Sequence, residues 1–491
     1  MFERCDVWKL SEEDPWHQII EWYARAVTTM QGRDGTALPP DDFVPSDPTS
    51  WRYLAAIHGT NVEPNLWPQG ATWQECQHFS WFFLPWHRIY LHYFESVVHQ
   101  TIANLGGPDD WALPYWDYSD PNRPNVRRLP PAFKEPRMPS GDPNPLFVTQ
   151  RRPDINQGEE MDAAAVDIGP AMAETFFTGS APTVGFGGPP TAWSHVGSVV
   201  GRLEGTPHGN VHMAVGGVQP LGWMSRFNTA GLDPIFWLHH ANIDRLWEAW
   251  LTLGDGRANP TGSRAVPWLN TWFKVGGGAS AVTLRVREVL DTRQPPLTYF
   301  YSNISLPAPA PPAVLAGRAA TDSRFTEEEP VPEDIPPEMV GASENRVPLA
   351  TEPTEVEMAV EAPSGPALRE RPEGAQPRKV YLNVENVRGK ELAALNYTVH
   401  VNLPPGADPT TYEDRRVGQV SMFGVREASE SDEEHSGSGL TFSFDITGVV
   451  QRLQEAGDWD PQRLRVTFTP VRAGAEQGGD VSAGRVSLFY A

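Results

Sequence analysis

At 491 residues the chain is long for one domain and predicts two or three. A formal charge of −23, from 62 acidic against 39 basic residues, argues against nucleic acid or an anionic membrane as partner, since both require a basic face. The opening MFERCDVWKL has no apolar leader core, no run is long enough to span a bilayer, and the two cysteines, Cys5 and Cys76, form no obvious pair. A reducing, cytoplasmic interior is therefore the default compartment, with export on a partner protein or after removal of a leader as the alternative.

Taken in order, residues 1–304 are dense in Trp, Phe, His and Leu with helical periodicity. His58 lies in YLAAIHGT, a less distinctive setting than those of the other histidines. QECQHFSWFFLPWHRIYLHYFESVVHQTIANL (74–105) reads as a loop followed by a buried helix, which Pro85 starts and GGPDD closes. The stretch 120–190, rich in Pro, Gly and Arg, predicts long loops around the helical core. A further helix carries HGNVHMAV, and another carries DPIFWLHHANIDRLWEAWLTL (233–253), with Asp233-Pro234 as its start.

The composition then changes. LPAPAPPAVLAG and EEEPVPEDIPPEM lie in 305–377, a segment too polar and Pro-rich to fold alone, read as a linker or else as a strap along the surface. From 378 to 491, KVYLNV, YTVHVNL, GQVSMFG, LTFSFDIT, LRVTFTP and RVSLFYA alternate with period two, as in an all-β sandwich; VVQRLQEAG (449–457) reads as one short helix among them. His400 and His435 fall here and are read as non-ligands.

Two clusters of three histidines stand out: His58, His78 and His87, then His208, His212 and His240. Neither has an acidic residue at ligand spacing, so both describe metal held by nitrogen alone, and paired all-imidazole sites point to copper with dioxygen between the ions. His208 and His212 are four apart and share a helix face. A zinc protease would need Glu after the first histidine, and Gly209 stands there.

HFSWFFLPWHRIYLHYFE, LPYWDY (113–118) and LDPIFWLHHANIDRLW (232–247) resemble the motifs of the type-3 copper family of tyrosinases, catechol oxidases and haemocyanins, over roughly residues 50–300. The resemblance implies a mainly α catalytic domain with a four-helix-bundle dicopper core. By position, His58, His78 and His87 would bind the first copper, and His208, His212 and His240 the second, with His239 and Asp233 as outer neighbours. The segments RKVYLNVENV and FDITGVVQRLQEAGDWDPQRLRVTFTP resemble the C-terminal shielding domain of plant-type polyphenol oxidases. That likeness implies a latent enzyme, although the Lys-Phe-Asp-Val stretch and disulfides of the plant members are absent.

Cys76, two residues before His78, resembles the cysteine that forms a thioether with that imidazole in fungal tyrosinases and molluscan haemocyanins; a buried free thiol is the alternative. Glu204 matches the position associated with a water near the second copper. Gly209 replaces an Asn frequent in good monophenolases, Met213 offers no basic help, and Phe227 aligns with the residue overhanging the second copper. These positions imply oxidation of small o-diphenols to o-quinones, with weak or absent hydroxylation of monophenols. An o-aminophenol oxidase or a haemocyanin-like oxygen carrier would use the same six histidines.

Overall fold

The computed structural model describes residues 1–35, 43–192, 197–306, 336–361, 379–431, 437–472 and 479–491. A short strand, β1 (Phe2–Arg4), pairs in parallel with β2 (Tyr299–Tyr301) and ties the two ends of the first domain together. Between them lie α1 (Gln18–Gly32) and four helices that carry histidines: α2 (Trp51–His58), α3 (Phe83–Asn104), α4 (Asn210–Gly216) and α5 (Pro234–Thr252).

Aromatic packing sets the approach of these helices. Tyr23 of α1, Trp51 of α2, Phe94 of α3 and Trp237 of α5 meet in one buried cluster, with Phe94 and Trp237 stacked at 3.4 Å and Trp51 edge-on to both. Aromatic rings bury far more apolar surface than other side chains, which is why Trp-rich segments form the core here. The helix starts follow local chemistry. Asp233 caps α5 by accepting the Ile235 N–H at 3.0 Å, with Pro234 at the first helical position. Ser50 caps α2 in the same way. The helix α3 begins at Phe83, two residues before Pro85, which sits in the first turn where its missing N–H costs nothing. No helix among the described residues is long and apolar enough to cross a membrane.

Beside a short pair of two-residue strands, Val347–Pro348 with Ser482–Ala483, the C-terminal region carries β3 (Glu338–Ala342), β4 (Thr354–Ala359), β5 (Val380–Val387), β6 (Asn396–Val401), β7 (Arg416–Ser421), β8 (Leu440–Asp445), β9 (Arg463–Val471) and β10 (Arg485–Tyr490). Strands β3 to β10 form two antiparallel four-stranded sheets, ordered β7-β6-β9-β4 and β8-β5-β10-β3. The expected helix is present as Thr447–Ala456.

The expected linker 305–377 requires correction. Its parts 307–335 and 362–377 lie outside the described residues, but 336–361 supplies β3 and β4, each at the edge of a sheet. Their alternation was hidden by composition. An edge strand buries few side chains, here chiefly Val340 and Met358, and its outward positions are free to be glutamate. His400 lies on β6, opposite Thr467 and Arg416 within its sheet, and His435 lies outside the described residues.

Candidate metal centre

Six imidazoles converge where α2, the loop before α3, α3, α4 and α5 meet. His58 ends α2, His78 precedes α3, His87 lies in its second turn, and His240 sits midway along α5. The chain widens into a π-type turn through Glu204–Gly209, kinked at Thr206, and continues directly into α4, which carries His212 four residues after His208.

In the first cluster the ring centroids are 5.3 Å (His58–His78), 5.6 Å (His58–His87) and 5.2 Å (His78–His87) apart. In the second they are 4.7 Å (His208–His212), 5.0 Å (His208–His240) and 5.5 Å (His212–His240) apart. The clusters face each other: His87 stacks on His240 at 4.5 Å, and His78 lies 5.9 Å from His208.

Four rings are oriented by the backbone through Nδ1. His58 donates to Phe227 O (3.0 Å), His87 to Phe83 O (2.8 Å), His208 to Glu204 O (3.1 Å) and His212 to Met224 O (2.7 Å). A proton fixed on Nδ1 leaves the Nε2 lone pair for a metal. Nε2 of His87 and of His208 are buried and meet no hydrogen-bond partner among the described residues. Burial first, and the neighbouring histidines second, hold His87, His208, His212 and His240 well below the ordinary imidazole range and so neutral. Neutral, oriented, unsatisfied nitrogens without a carboxylate ligand are the donor set of a copper pair.

His239, expected as a neighbour, stacks 5.5 Å from His208, and its Nδ1 meets the Tyr118 hydroxyl at 3.0 Å. Burial pushes its imidazole down to about 3. One of its ring nitrogens falls within 4.8 Å of ligand atoms of His208, His212 and His240, so distance alone does not separate it from the cluster. Asp233 does not reach the rings. It caps α5 and receives fully buried Arg151 through two bonds of 2.6 and 2.8 Å, which positions the helix.

Cys76 Sγ is buried and lies within 4.8 Å of a ring nitrogen of His78. Glu204 is buried, and burial raises its carboxyl well above the usual range. Both its oxygens take the Phe79 N–H at 2.8 Å, which ties the loop carrying His78 to the turn carrying His208. Met213 is fully buried in α4.

Phe227 departs from expectation. Its ring stacks on His78 at 4.2 Å and its carbonyl holds His58, so it belongs over the first cluster, not the second. The second cluster is covered by a residue that sequence reasoning missed. Phe423, in the turn after β7, stacks on His212 at 4.0 Å and 16°, stands edge-on to His208 at 5.4 Å, and packs against Phe227 at 4.8 Å. Nothing local in VSMFGV announces this, because the contact exists only once the two regions dock. The docking seam includes paired backbone bonds between Ser198–Val200 and Thr441 (2.8 and 3.0 Å) and Arg202 donating to Ser443 O.

Residues 48–185 and 148–253 match the family pattern described as the common central domain of tyrosinase, and 336–491 match a domain of unknown function, DUF7868. Tyrosinase HcTyr1 of Hahella sp. (strain CCB-MM4) is 32% identical over 514 residues, covering 99% of each chain. A chloroplastic polyphenol oxidase of Malus domestica is 31% identical over 61% of this chain, which spans 49% of that protein's length. Among solved structures, latent apple tyrosinase (MdPPO1) superposes with a TM-score of 0.63 at 22% identity, covering 100% of this chain and 97% of that one, a likeness of fold. The end-to-end match to a tyrosinase, through the segments that bring the imidazoles together, makes this chain a member of the type-3 copper family: a dicopper oxidoreductase working with two copper ions and dioxygen.

Proposed function

We propose that the chain is a latent catechol oxidase, taking small o-diphenols to o-quinones, with monophenol hydroxylation weak or absent. The observation that carries this reading is the pair of facing three-imidazole clusters, four of whose rings are held at Nδ1 by backbone carbonyls. His58, His78 and His87 would hold one copper, and His208, His212 and His240 the other, in a core formed as a four-helix bundle beneath a C-terminal β-sandwich. Copper supplies the redox chemistry, by which two catechols lose two electrons and two protons each while one dioxygen becomes two waters. The protein orients four of the rings through backbone carbonyls, keeps His87, His208, His212 and His240 neutral and shuts out water through the aromatic shell.

A phenol ring needs a flat apolar surface at the cluster. Phe227 on His78 supplies one wall, and Phe423 now lies where the substrate ring would sit. Latency follows from that occupation, because a tethered domain returns to its seat at high effective concentration. Removal of the C-terminal cover by cleavage or loosening would open the site. Diphenol selectivity rests on two features: Gly209 brings no amide to orient a water, and both oxygens of Glu204 already face Phe79 N–H.

The test is oxygen uptake by copper-loaded protein on paired catechols, monophenols and o-aminophenols, repeated with Phe423→Ala. Catechols should be turned over far faster than the matching monophenols, and Phe423→Ala should raise kcat/KM on catechols by about tenfold, most for bulky ones. Equal rates on phenol and catechol would sink the selectivity claim, and reversible oxygen binding without turnover would make the chain a carrier.

We further propose a thioether between Cys76 sulfur and a ring carbon of His78, on the strength of their spacing and buried proximity. Forming that bond would remove the thiol hydrogen and one ring hydrogen with two electrons, which dioxygen as co-substrate would take up to leave as hydrogen peroxide. Mass spectrometry of the 74–79 peptide from active enzyme should show two hydrogens missing and no alkylation of Cys76; an alkylated Cys76 would refute it.

A further inference from the structure

The turn that carries Phe423 reaches the imidazoles between two glycines, one from each region. Gly424 has φ +77°, and a Cβ there would stand 2.4 Å from Phe79 Cζ and 3.0 Å from Phe227 Cζ. Gly209 is the more telling, since its backbone (φ −63°, ψ −36°) is ordinary helix that any residue adopts and in which glycine is a poor choice. Conformation therefore does not account for glycine at this position. Space does: a Cβ at 209 would stand 2.7 Å from Ser421 Oγ and 3.3 Å from both Ser421 Cβ and Glu204 O. Ser421 is buried, and its Oγ accepts the Phe423 N–H at 3.3 Å, so turning the hydroxyl away from 209 gives up that bond.

We propose that Gly209 is the seat of the C-terminal domain: the missing side chain after His208 admits Ser421, and Ser421 in turn sets Phe423 over His212. This inference rests on the latent reading above and extends it. It assigns to one position both the lack of an orienting group for monophenols and the fit of the cover. A side chain at 209 then acts first as a wedge between the two regions, because close-packed contacts absorb an added methyl only by moving apart.

The experiment compares the full-length wild type with Gly209→Ala, Ser421→Gly, the double variant and Phe423→Ala. Two readouts are taken: kcat/KM on a bulky catechol, and amide hydrogen exchange of the 416–425 peptide in metal-free protein. Gly209→Ala should raise kcat/KM about tenfold and speed exchange across 416–425. Ser421→Gly removes the hydroxyl that accepts the Phe423 N–H and should itself activate and speed exchange, and the double variant should go little beyond either single change, a non-additivity expected only of groups in direct contact. The exchange measurement reports even if Gly209→Ala binds copper poorly. If Phe423→Ala activates while Gly209→Ala changes neither exchange nor rate, the seat is wrong and latency stands. If Phe423→Ala itself fails to activate, the latent reading falls and takes the seat with it.

Discussion

Replacement of His87 by Ala should lower catechol-dependent oxygen uptake by more than about a thousandfold, since the six imidazoles act as one unit and not as additive contributors. His87 is central to that unit. Its ring lies 5.2 Å from His78 and 5.6 Å from His58, and it stacks on His240 across the two clusters at 4.5 Å. Its Nδ1–H is bound to Phe83 O within α3, so Nε2 has no other task. Alanine leaves the helix intact, and circular dichroism should be unchanged while bound copper falls to one per chain or less. A His87→Ala variant that keeps two coppers and wild-type turnover would remove His87 from the site.

The second large effect is on stability, at Asp244. This buried carboxylate receives Arg88 Nε at 2.5 Å, Arg4 Nη1 at 3.4 Å and the Tyr299 hydroxyl at 2.6 Å, and also the Tyr301 hydroxyl. It thereby joins α5, α3, β1 and β2. Asp244→Ala leaves two fully buried guanidiniums without this partner and should cost about 3–5 kcal/mol. The pH dependence has a definite sign. Burial alone would raise the Asp244 carboxyl, but Arg88 and Arg4 hold it below the usual value. The stabilisation is thus present above the ordinary carboxylate pKa of about 4 and is lost as pH falls through the lower folded value. Urea melts at neutral pH should show the full deficit, and the gap between wild type and variant should narrow in acid. An unchanged midpoint at neutral pH would contradict the role given to this cluster.

Much of the catalytic region was legible in the chain because its chemistry repeats at helical spacing. His208 and His212 stand one turn apart, Asp233-Pro234 marks the start of α5, and the Trp-rich runs are the faces that pack together. Edge strands were less legible. In β3 and β4 the outward positions carry glutamate and the inward ones supply few apolar residues, so composition spoke for a linker where the backbone pairs in sheets. Phe227 was assigned to the wrong cluster, since sequence position alone could not show that its carbonyl holds His58 and its ring lies on His78. Phe423 was not legible at all. Its partners, His212 and Phe227, lie about two hundred residues away, and only the open space at Gly209 and the left-handed turn at Gly424 let it reach them.

The most direct test of the whole account is metal analysis of full-length protein produced with ample copper, followed by oxygen uptake on a small catechol. Two coppers per chain, with uptake that disappears when copper is chelated and returns when it is restored, is the expected result. A single metal per chain, or a zinc-loaded protein that consumes no oxygen with any catechol, would contradict it.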